Sequence, residues 1–330
     1  MLKIPITDRR IAFHGLPWNE DGRFHRLPAS IEDRVSAELW ACAASTSGAR
    51  LRICTNSTSV GLAGEFPFAC GTNNLAMRGH SGLDIYVDGV YWNNVYTEQG
   101  GQREVMFFEH VPRAMREIEI YLPIYDTAKP EKLLLDDDAV LDMPRPYSPK
   151  QPVVFYGTSI TQGGCASRPG LSYPALLSRM LNIDFINLGF SGLGRGEPAV
   201  AEAIAELDAA CVVIDMGQNN TAISELTRLF EPFYATIRRA HPNMPILVTT
   251  PLYNASEVWD AEVREANQAR REHIAAVCRA ADDAHLTLLS WPNAVDMTDA
   301  IVDGSHATDV GFMRMAEAMK PLLVRALVLR

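Results

Sequence analysis

The chain of 330 residues is 47% hydrophobic and 21% charged, which is the composition of a soluble globular protein. Its formal net charge of −10 argues against a nucleic-acid partner, because such a partner requires a basic protein face. No stretch reaches the roughly 18 apolar residues that span a bilayer, so we expect no membrane partner. Residues 1–10 lack the apolar core of a signal peptide, so we expect a cytoplasmic protein.

Residues 1–143 show the alternation of apolar and polar side chains that is typical of half-buried strands. Clear runs cover 50–55, 83–88 and 117–122, and Asp88-Gly89 is a hairpin-type turn. Short strands joined by Gly, Asn and Pro turns favour an all-β sandwich with a jelly-roll-like architecture. We predict such an accessory domain for residues 1–143.

A proline-rich segment comes next. Residues 143–152 contain four prolines, which make the chain stiff, extended and poor at joining a sheet. We interpret 144–152 as a linker and 153–330 as a second domain.

After this segment, apolar runs alternate with helical patterns. The strand-like runs cover 152–156, 183–188, 211–216, 245–250 and 286–290. The helical patterns cover 171–181, 198–207, 224–240, 260–284 and 309–328, the last with Thr308 or Asp309 as its N-cap. Five β-α units predict a three-layer α/β fold, in which helices cover both faces of a doubly wound, parallel, five-stranded sheet. In such sheets, sites form at the carboxyl ends of the strands.

Ser159 follows the first of these strands and is a candidate nucleophile. A serine hydroxyl becomes nucleophilic when an imidazole takes its proton and a carboxylate orients that imidazole. The surrounding sequence is not the GxSxG motif of α/β-hydrolases, because position 161 is Thr. Considered alone, a serine between a strand and a helix is more often a cap or a turn residue.

Asp303 and His306 lie just before the last helix and supply the two partners that such a serine needs. Their spacing across the Gly304 turn lets the carboxylate bind the imidazole Nδ1, which fixes the tautomer and leaves Nε2 as the base. The alternative is an ordinary surface turn. With Ser159 at a strand end, we predict a Ser159, His306 and Asp303 triad.

Two further loops follow the second and third strands. The glycines of residues 187–194, Gly192 among them, allow close backbone approach to a ligand. A dinucleotide-binding loop is the rival interpretation, but the spacing is not GxGxxG and the run follows the second strand. In residues 215–220, the side-chain amide of Asn219 is a candidate donor to a developing oxyanion. The alternative interpretation of this segment is an ordinary Asn-rich turn.

These residues occur in the order of a known family. Over about 152–328 the sequence resembles the SGNH (GDSL-type) hydrolases, whose four blocks are matched by Ser159, Gly192, Asn219 and the Asp303–His306 pair. The likeness has two departures, since Thr158 and Asn220 stand where that family usually has Asp.

The first half carries a second resemblance. Gly82-Leu83-Asp84-Ile85-Tyr86 is similar to a Gly-x-Asp-Leu-Tyr signature found in a β-rich domain that precedes some SGNH esterases. That two-domain layout also resembles carbohydrate esterases that remove acetyl groups.

The resemblance implies a flavodoxin-like sheet and a serine esterase mechanism. It implies an oxyanion hole formed by Ser159, Gly192 and Asn219, and it implies no metal and no organic cofactor. Because some relatives manage with a Ser–His pair, it leaves open whether Asp303 is essential.

The substrate is less constrained by the sequence. We expect a small acyl group rather than a fatty one, because no long apolar stretch suggests a lipid-binding surface, and we predict removal of acetyl groups from a carbohydrate ester such as an oligosaccharide. The candidate substrate contacts are Arg168, Tyr173, Arg195 and Trp291. The alternatives are a lipase-like or thioesterase-like hydrolase of lipid or small aryl esters, and a non-catalytic carbohydrate-binding protein with a degenerate hydrolase domain. A third alternative is that the β half mainly mediates homo-oligomerisation.

Overall fold

The computed structural model describes residues 1–19, 22–220 and 222–329. In its first half the strands are β1 (Leu2–Pro5), β2 (Ala12–His14), β3 (Arg50–Thr55), β4 (Val60–Phe66), β5 (Leu83–Val87), β6 (Val90–Val95), β7 (Gly101–Phe108), β8 (Arg116–Tyr121), β9 (Lys129–Leu135) and β10 (Leu141–Asp142). Among the described residues between these strands lie a 3-10 helix at Ala29–Arg34 and two short α-helices, α1 (Ala37–Ala43) and α2 (Met77–His80).

These strands form two antiparallel sheets that pack face to face. One has the order β1-β9-β4-β7, and the other has the order β10-β3-β8-β5-β6 with β2 paired to β3. Alternate side chains such as Leu51, Ile53, Leu62 and Leu133 fill one buried core between the sheets. The predicted β sandwich is therefore confirmed, whereas its jelly-roll connectivity stays a prediction.

The predicted hairpin turn lies between β5 and β6. Asp88 and Gly89 both have positive φ angles, 51° and 77°, as the tightest hairpin turns require. Asp88 accepts a hydrogen bond from the backbone of Glu117 in β8, which fixes the turn against the neighbouring strand.

The second half alternates strands and helices. The strands are β11 (Val153–Gly157), β12 (Phe185–Gly189), β13 (Cys211–Asp215), β14 (Ile246–Thr249) and β15 (Leu286–Leu289). The helices are α3 (Ser159–Gln162), α4 (Tyr173–Leu181), α5 (Pro198–Ala205), α6 (Ile223–Ala240), α7 (Ala261–Ala280), α8 (Trp291–Ala294) and α9 (Asp309–Ala326). Each strand and each long helix overlaps a run that the sequence predicts, and Thr308 is the N-cap of α9.

The five strands form one parallel sheet with the order β12-β11-β13-β14-β15. Along β11, Val153 and Phe155 face one apolar core, which includes α4 and α9, while Val154 and Tyr156 face the other, which includes α5 and α6. The predicted three-layer α/β fold is confirmed. The chain adds β12 on one side of β11 and β13 on the other, so a topological switch point lies beside β11, and ligand sites are expected at the carboxyl ends of β11 and its neighbours.

The edge strand β12 lies against the first half rather than against solvent. The side chain of Arg26, fully buried, donates to the carbonyls of Asn187 and Gly189. Arg50, also fully buried, donates to the carbonyl of Phe185 at 3.1 Å. These are the alternate carbonyls of β12 that point away from β11, so two guanidinium groups satisfy an edge that would otherwise be buried without partners.

The proline-rich segment packs at this same boundary. Tyr147 is buried, and its hydroxyl accepts from Arg50 Nε at 2.9 Å and donates to Glu119 at 2.8 Å. Asn182, at the end of α4, donates to the carbonyl of Pro146 at 3.0 Å. The segment therefore lines the boundary between the halves, and the division at residues 143 and 153 stays a prediction.

Among the described residues, no helix combines the length and the apolar character needed to cross a membrane.

The fully buried Arg50 also forms an ion pair with the partly buried Asp184, which immediately precedes β12. The Nη2–Oδ1 distance is 2.5 Å, and His14 Nδ1 lies 2.8 Å from the other carboxylate oxygen. Burial alone raises the pKa of Asp184, but the charge of Arg50 and the contact with His14 outweigh it, so this pKa lies below its usual value.

The substitution Asp184→Asn should lower the free energy of unfolding by about 2 kcal/mol at pH 7, because the fully buried Arg50 loses one of its two carboxylate partners and keeps only Glu119, 3.5 Å from its Nε. Since the pKa of Asp184 is lowered in the folded state, its stabilisation is fully present above about pH 4 and is lost as the pH falls through that lowered value. Urea unfolding should therefore show a difference between the two proteins that shrinks in acid.

The matched control is Glu202→Gln, which removes an exposed partner of Arg34. Its effect should lie within about 1 kcal/mol at either pH. An Asp184→Asn effect no larger than that of the control, or one that does not shrink in acid, would contradict the buried ion pair.

Candidate active site

Ser159 lies at the carboxyl end of β11, at the first position of α3. The Thr158 side chain caps this helix by accepting from the backbone of Ile160. Gly157 has no room for a side chain, because a Cβ there would lie 2.2 Å from Thr161 Oγ1 and 2.5 Å from the carbonyl oxygen of Asp215. The strand-to-helix turn is therefore tight. Its serine backbone N–H is at a helix start, where it has no intrahelical acceptor.

His306 contacts Ser159 from the loop before α9. Its Nε2 lies 2.8 Å from Ser159 Oγ, and its Nδ1 lies 2.8 Å from Asp303 Oδ2. Because a carboxylate only accepts, Nδ1 carries the proton and Nε2 is the acceptor for the serine hydroxyl. The structure thus brings together the three residues that the sequence singles out, with the imidazole in the orientation that proton transfer from Ser159 requires.

The loop that carries His306 is held rigidly. Ile301 and Ala307 form an antiparallel bridge, and the backbone of Val302 donates to the carbonyl of His306 at 2.8 Å. Gly304 has a φ of 88°, a left-handed conformation that lets the chain turn between Asp303 and His306.

Asp303 accepts hydrogen bonds on both carboxylate oxygens. Oδ1 accepts from the backbone N–H groups of Ser305 at 3.1 Å and His306 at 2.9 Å. Oδ2 accepts from His306 Nδ1 and from Asn74 Nδ2, the latter at 2.7 Å. Partial burial raises the pKa of Asp303, but the donors from His306 and Asn74 outweigh it and hold this pKa far below its usual value. The carboxylate therefore stays charged beside the imidazole.

Gly192 lies in a turn that packs against the serine turn. It is exposed and has a φ of 72°. Two residues on, a Cβ on Gly194 would lie 2.0 Å from the carbonyl oxygen of Gly157, so only a glycine allows this approach. The backbone of Phe190 also donates to the Gly157 carbonyl, at 3.0 Å. The Gly192 turn is thereby fixed beside the start of α3.

Asn219 is linked to this turn from the loop after β13. Its Nδ2 donates to the carbonyl of Leu193 at 2.6 Å. A carboxamide has two N–H donors, so one remains for another acceptor. The structure therefore brings the Asn219 side chain next to the residue that follows Gly192.

Asp215 forms a buried polar cluster beneath the serine helix. Its carboxylate accepts from Thr161, Tyr173, Thr249 and the indole N–H of Trp291, the last at 3.2 Å. Tyr173 and Trp291 are both fully buried. The expectation that these two side chains contact substrate is wrong, because they point beneath the sheet end and hold Asp215 instead.

Arg168 is likewise committed to the fold. Its Nη1 lies 2.9 Å from Asp84 Oδ2, and its guanidinium stacks on the ring of Tyr91 at 3.7 Å. It also donates to the hydroxyl of Tyr86. Asp84 and Tyr86 belong to the Gly-x-Asp-Leu-Tyr-like segment, so the predicted substrate contact of Arg168 is corrected to an ion pair between the halves.

Arg195 is the candidate substrate contact that stays at the site. Its Nη2 donates to the Gly192 carbonyl at 3.2 Å, and its side chain is 38% exposed beside Glu225. It lies at the rim of the Gly192 turn, and its contact with a substrate stays a prediction.

Four residues near the site have no motif that marks them in the sequence. Asn74 and Tyr125 come from the first half, and a Cβ on Gly164 would lie 2.8 Å from the Tyr125 hydroxyl and 3.4 Å from Ser159 Cβ. Cys165 Sγ lies within 4.8 Å of a ring nitrogen of His306 and a carboxylate oxygen of Asp303. Burial, with a smaller effect of the Asp303 charge, raises the pKa of Cys165 to about 12, so this thiol is neutral.

Trp259 is the fourth residue. It follows a 3-10 helix at Ala255–Val258 and is 89% exposed. That helix is tied to the His306 loop, because the backbone of Ala255 donates to the Gly304 carbonyl at 2.8 Å. The sequence does not indicate that Trp259 is exposed, because most tryptophans are largely buried in protein cores.

Two groups of side chains among the described residues bring together donor atoms that suit a metal ion. One is Cys165, Asp303 and His306, and the other is Cys70, His80 and Asp126. In the first group both ring nitrogens of His306 are already engaged, by Ser159 and Asp303. In the second, His80 Nδ1 lies 2.9 Å from Asp126 Oδ2. Both groups are thus internally hydrogen-bonded.

Comparison with known families gives two matches. A model described as the GDSL-like lipase/acylhydrolase family matches residues 150–324, and a model described as the N-terminus of SGNH-hydrolase-type esterases matches residues 6–140. No curated protein gives a significant match to this sequence.

Several solved structures share the fold. A protein from Bacteroides ovatus described as a GDSL-like lipase is 29% identical, with a TM-score of 0.87, and the match covers 100% of this chain and 98% of that one. The salicylyl-acyltransferase SsfX3 of a tetracycline biosynthetic pathway is 21% identical, with a TM-score of 0.83 and coverage of 99% and 98%. The acetyl xylan esterase Est2A of Butyrivibrio proteoclasticus is 12% identical, with a TM-score of 0.66 and coverage of 99% and 100%.

Proposed function

Since the chain belongs to the GDSL-like lipase/acylhydrolase family and is a carboxylic ester hydrolase, we propose that Ser159, His306 and Asp303 form its catalytic triad. The observation that carries this proposal is the 2.8 Å contact of Ser159 Oγ with His306 Nε2, with Asp303 on the opposite ring nitrogen. A serine with both partners in this order is equipped to act as an acyl acceptor.

The proposed reaction runs through an acyl-enzyme. His306 Nε2 takes the proton of Ser159 as Oγ attacks the ester carbonyl, and the charged Asp303 stabilises the imidazolium that forms. His306 then returns the proton to the leaving alcohol as the C–O bond breaks. His306 then deprotonates a water molecule, whose oxygen attacks the acyl carbonyl, and it returns that proton to Ser159 Oγ as the acyl–Oγ bond breaks and the acid is released. This sequence requires no metal and no organic cofactor.

The tetrahedral oxyanion needs donors aimed at it. We assign this role to the backbone N–H groups of Ser159 and Gly192 and to the second amide hydrogen of Asn219. The contact of Gly194 with Gly157 and the bond from Asn219 to Leu193 support this assignment, since they join the three elements that carry the donors.

The proposed substrate is an acetyl ester on a small molecule or oligosaccharide. The acetyl xylan esterase shares the two-part fold of this chain. This likeness of fold supports our proposal of a carbohydrate substrate. Trp259 follows the 3-10 helix whose first residue, Ala255, bonds to the His306 loop, and its exposed indole is suited to stacking on a sugar ring. It replaces the buried Trp291 as our candidate sugar contact.

The main rival is a lipase-like or thioesterase-like enzyme that acts on lipid or small aryl esters. Such an enzyme should prefer acyl chains longer than acetate, whereas the proposed acetylesterase should prefer acetate. A non-catalytic binding protein is disfavoured by the geometry of Ser159 and His306. That rival would be supported by failure of a fluorophosphonate to label the protein.

The substitutions Ser159→Ala and His306→Ala should each lower kcat by about 10⁴-fold or more, because each removes a group that the bond-making step needs. Asn219→Ala should lower kcat by about 10²–10³-fold, the cost of one oxyanion donor. The measurement is the hydrolysis of p-nitrophenyl acetate, with the exposed Ser167→Ala as the matched serine control. Wild-type turnover by Ser159→Ala would refute the nucleophile.

The wild-type enzyme should release acetate from acetylated oligosaccharides, and its rate on p-nitrophenyl esters should fall as the acyl chain lengthens. Trp259→Ala should raise KM for the oligosaccharide esters and leave that for p-nitrophenyl acetate unchanged, because only the former reach the indole. Trp92→Ala, an exposed tryptophan on β6, is the control. A rate that rises with chain length, without acetate release from sugars, would favour the rival.

A further inference from the structure

Asn74 is a residue of the first half that reaches the proposed triad. Its Nδ2 lies 2.7 Å from Asp303 Oδ2, the oxygen that also accepts from His306 Nδ1. Its own Oδ1 accepts from Thr72 Oγ1 at 2.8 Å, which sets the amide so that the NH₂ group faces Asp303. The amide orientation is thus determined by two contacts of opposite polarity.

We propose that Asn74 is a positioning residue of the triad, through which the β half completes the active site of the α/β half. This inference rests on the proposed function of Ser159, His306 and Asp303. Asn74 does not touch the reacting atoms. It acts by holding the carboxylate that orients the imidazole.

The turn that carries Asn74 is anchored on both sides. The Thr72 backbone donates to the Leu75 carbonyl at 3.0 Å, and Leu75 is buried. Four residues before Asn74, the Cys70 backbone donates to Ser81 Oγ at 3.1 Å. Asn74 is therefore presented by a structured loop, which is what a positioning contact requires.

The anchor continues into a polar cluster of the β half. Ser81 donates to Asp126 Oδ2, and His80 Nδ1 lies 2.9 Å from the same oxygen. Tyr125, next to Asp126, extends the chain of contacts to the serine, since its hydroxyl packs at Gly164 beside Ser159. Two adjoining parts of the β half thus reach the site, one at Asp303 and one at Gly164, which is close to Ser159.

Geometry explains why Asp303 benefits from this fourth donor. Three of its hydrogen bonds come from its own loop, from Ser305 and from His306. A carboxylate fixed only by its own loop moves with that loop, whereas the bond from Asn74 ties it to a separate part of the fold. Without it, the imidazole loses part of its alignment with Ser159, and misalignment of a catalytic group reduces the rate of bond making more than the binding of substrate.

The test is the kinetics of Asn74→Leu in the full-length protein with p-nitrophenyl acetate. The substitution keeps the side-chain size and removes the donor. We expect kcat to fall about tenfold, with KM changed by less than about twofold. In an Asp303→Asn background, the same substitution should change kcat by less than about twofold, because its effect passes through the carboxylate.

Two further variants keep the test decisive. Asn73→Leu, an exposed neighbour in the same turn, should retain wild-type kcat. Thr72→Val removes the hydroxyl that sets the Asn74 amide and that also accepts from the Leu75 backbone at 3.2 Å, and it should lower kcat in the same direction but by less. Thr72 is exposed, so this variant serves if Asn74→Leu fails to fold, which its thermal unfolding would reveal.

The outcomes separate the two proposals. If Ser159→Ala remains active, the proposed function fails. If Ser159→Ala is inactive and Asn74→Leu has wild-type kcat, only the positioning role is overturned. Effects of Asn74→Leu and Asp303→Asn on kcat that multiply, rather than overlap, would also overturn it, because they would show that Asn74 acts independently of Asp303.

Discussion

The free edge of the parallel sheet is the constraint on which the rest of the structure depends. β12 ends the sheet on one side, and its outward carbonyls are buried by the first half, so they need donors that no further strand supplies. Arg26 and Arg50 provide those donors with two fully buried guanidinium groups. Because β12 leads directly into the Gly192 turn, the contacts that close the edge also fix one side of the site relative to the β sandwich.

A contact in the opposite direction completes this attachment. The side chain of Arg168 extends from the α/β half to the β half, where it pairs with the fully buried Asp84 and stacks on the ring of Tyr91. Asp84 also accepts from the backbone of Gly170 at 2.8 Å, so it holds the segment that connects the serine helix to α4. The Gly-x-Asp-Leu-Tyr-like segment therefore has a physical role in this chain. It secures the region after Ser159, and the two halves form one unit around the site.

The sequence predicts most of the fold and the residues that its motifs name. The strands of the parallel sheet are identifiable because β11 to β14 are buried on both faces and read as continuous apolar runs. Ser159, Asp303 and His306 are identifiable because their chemistry depends on residue type and on position at strand ends. The errors have one cause. Tyr173, Trp291 and Arg168 are near the site in sequence, but spacing does not reveal which way a side chain points, and all three turn toward buried partners. Asn74 is 229 residues from Asp303, and only the packing of the two halves brings them together.

The central claim is that Ser159 accepts the acyl group. It is tested most directly by quenching the enzyme with acid during turnover of p-nitrophenyl acetate and mapping the acylated peptide by mass spectrometry. The account predicts an acetyl group on Ser159 that accumulates with the first turnover and disappears as substrate is exhausted. An acetyl group on another residue, or an initial burst of p-nitrophenol without acetylation of Ser159, would contradict it.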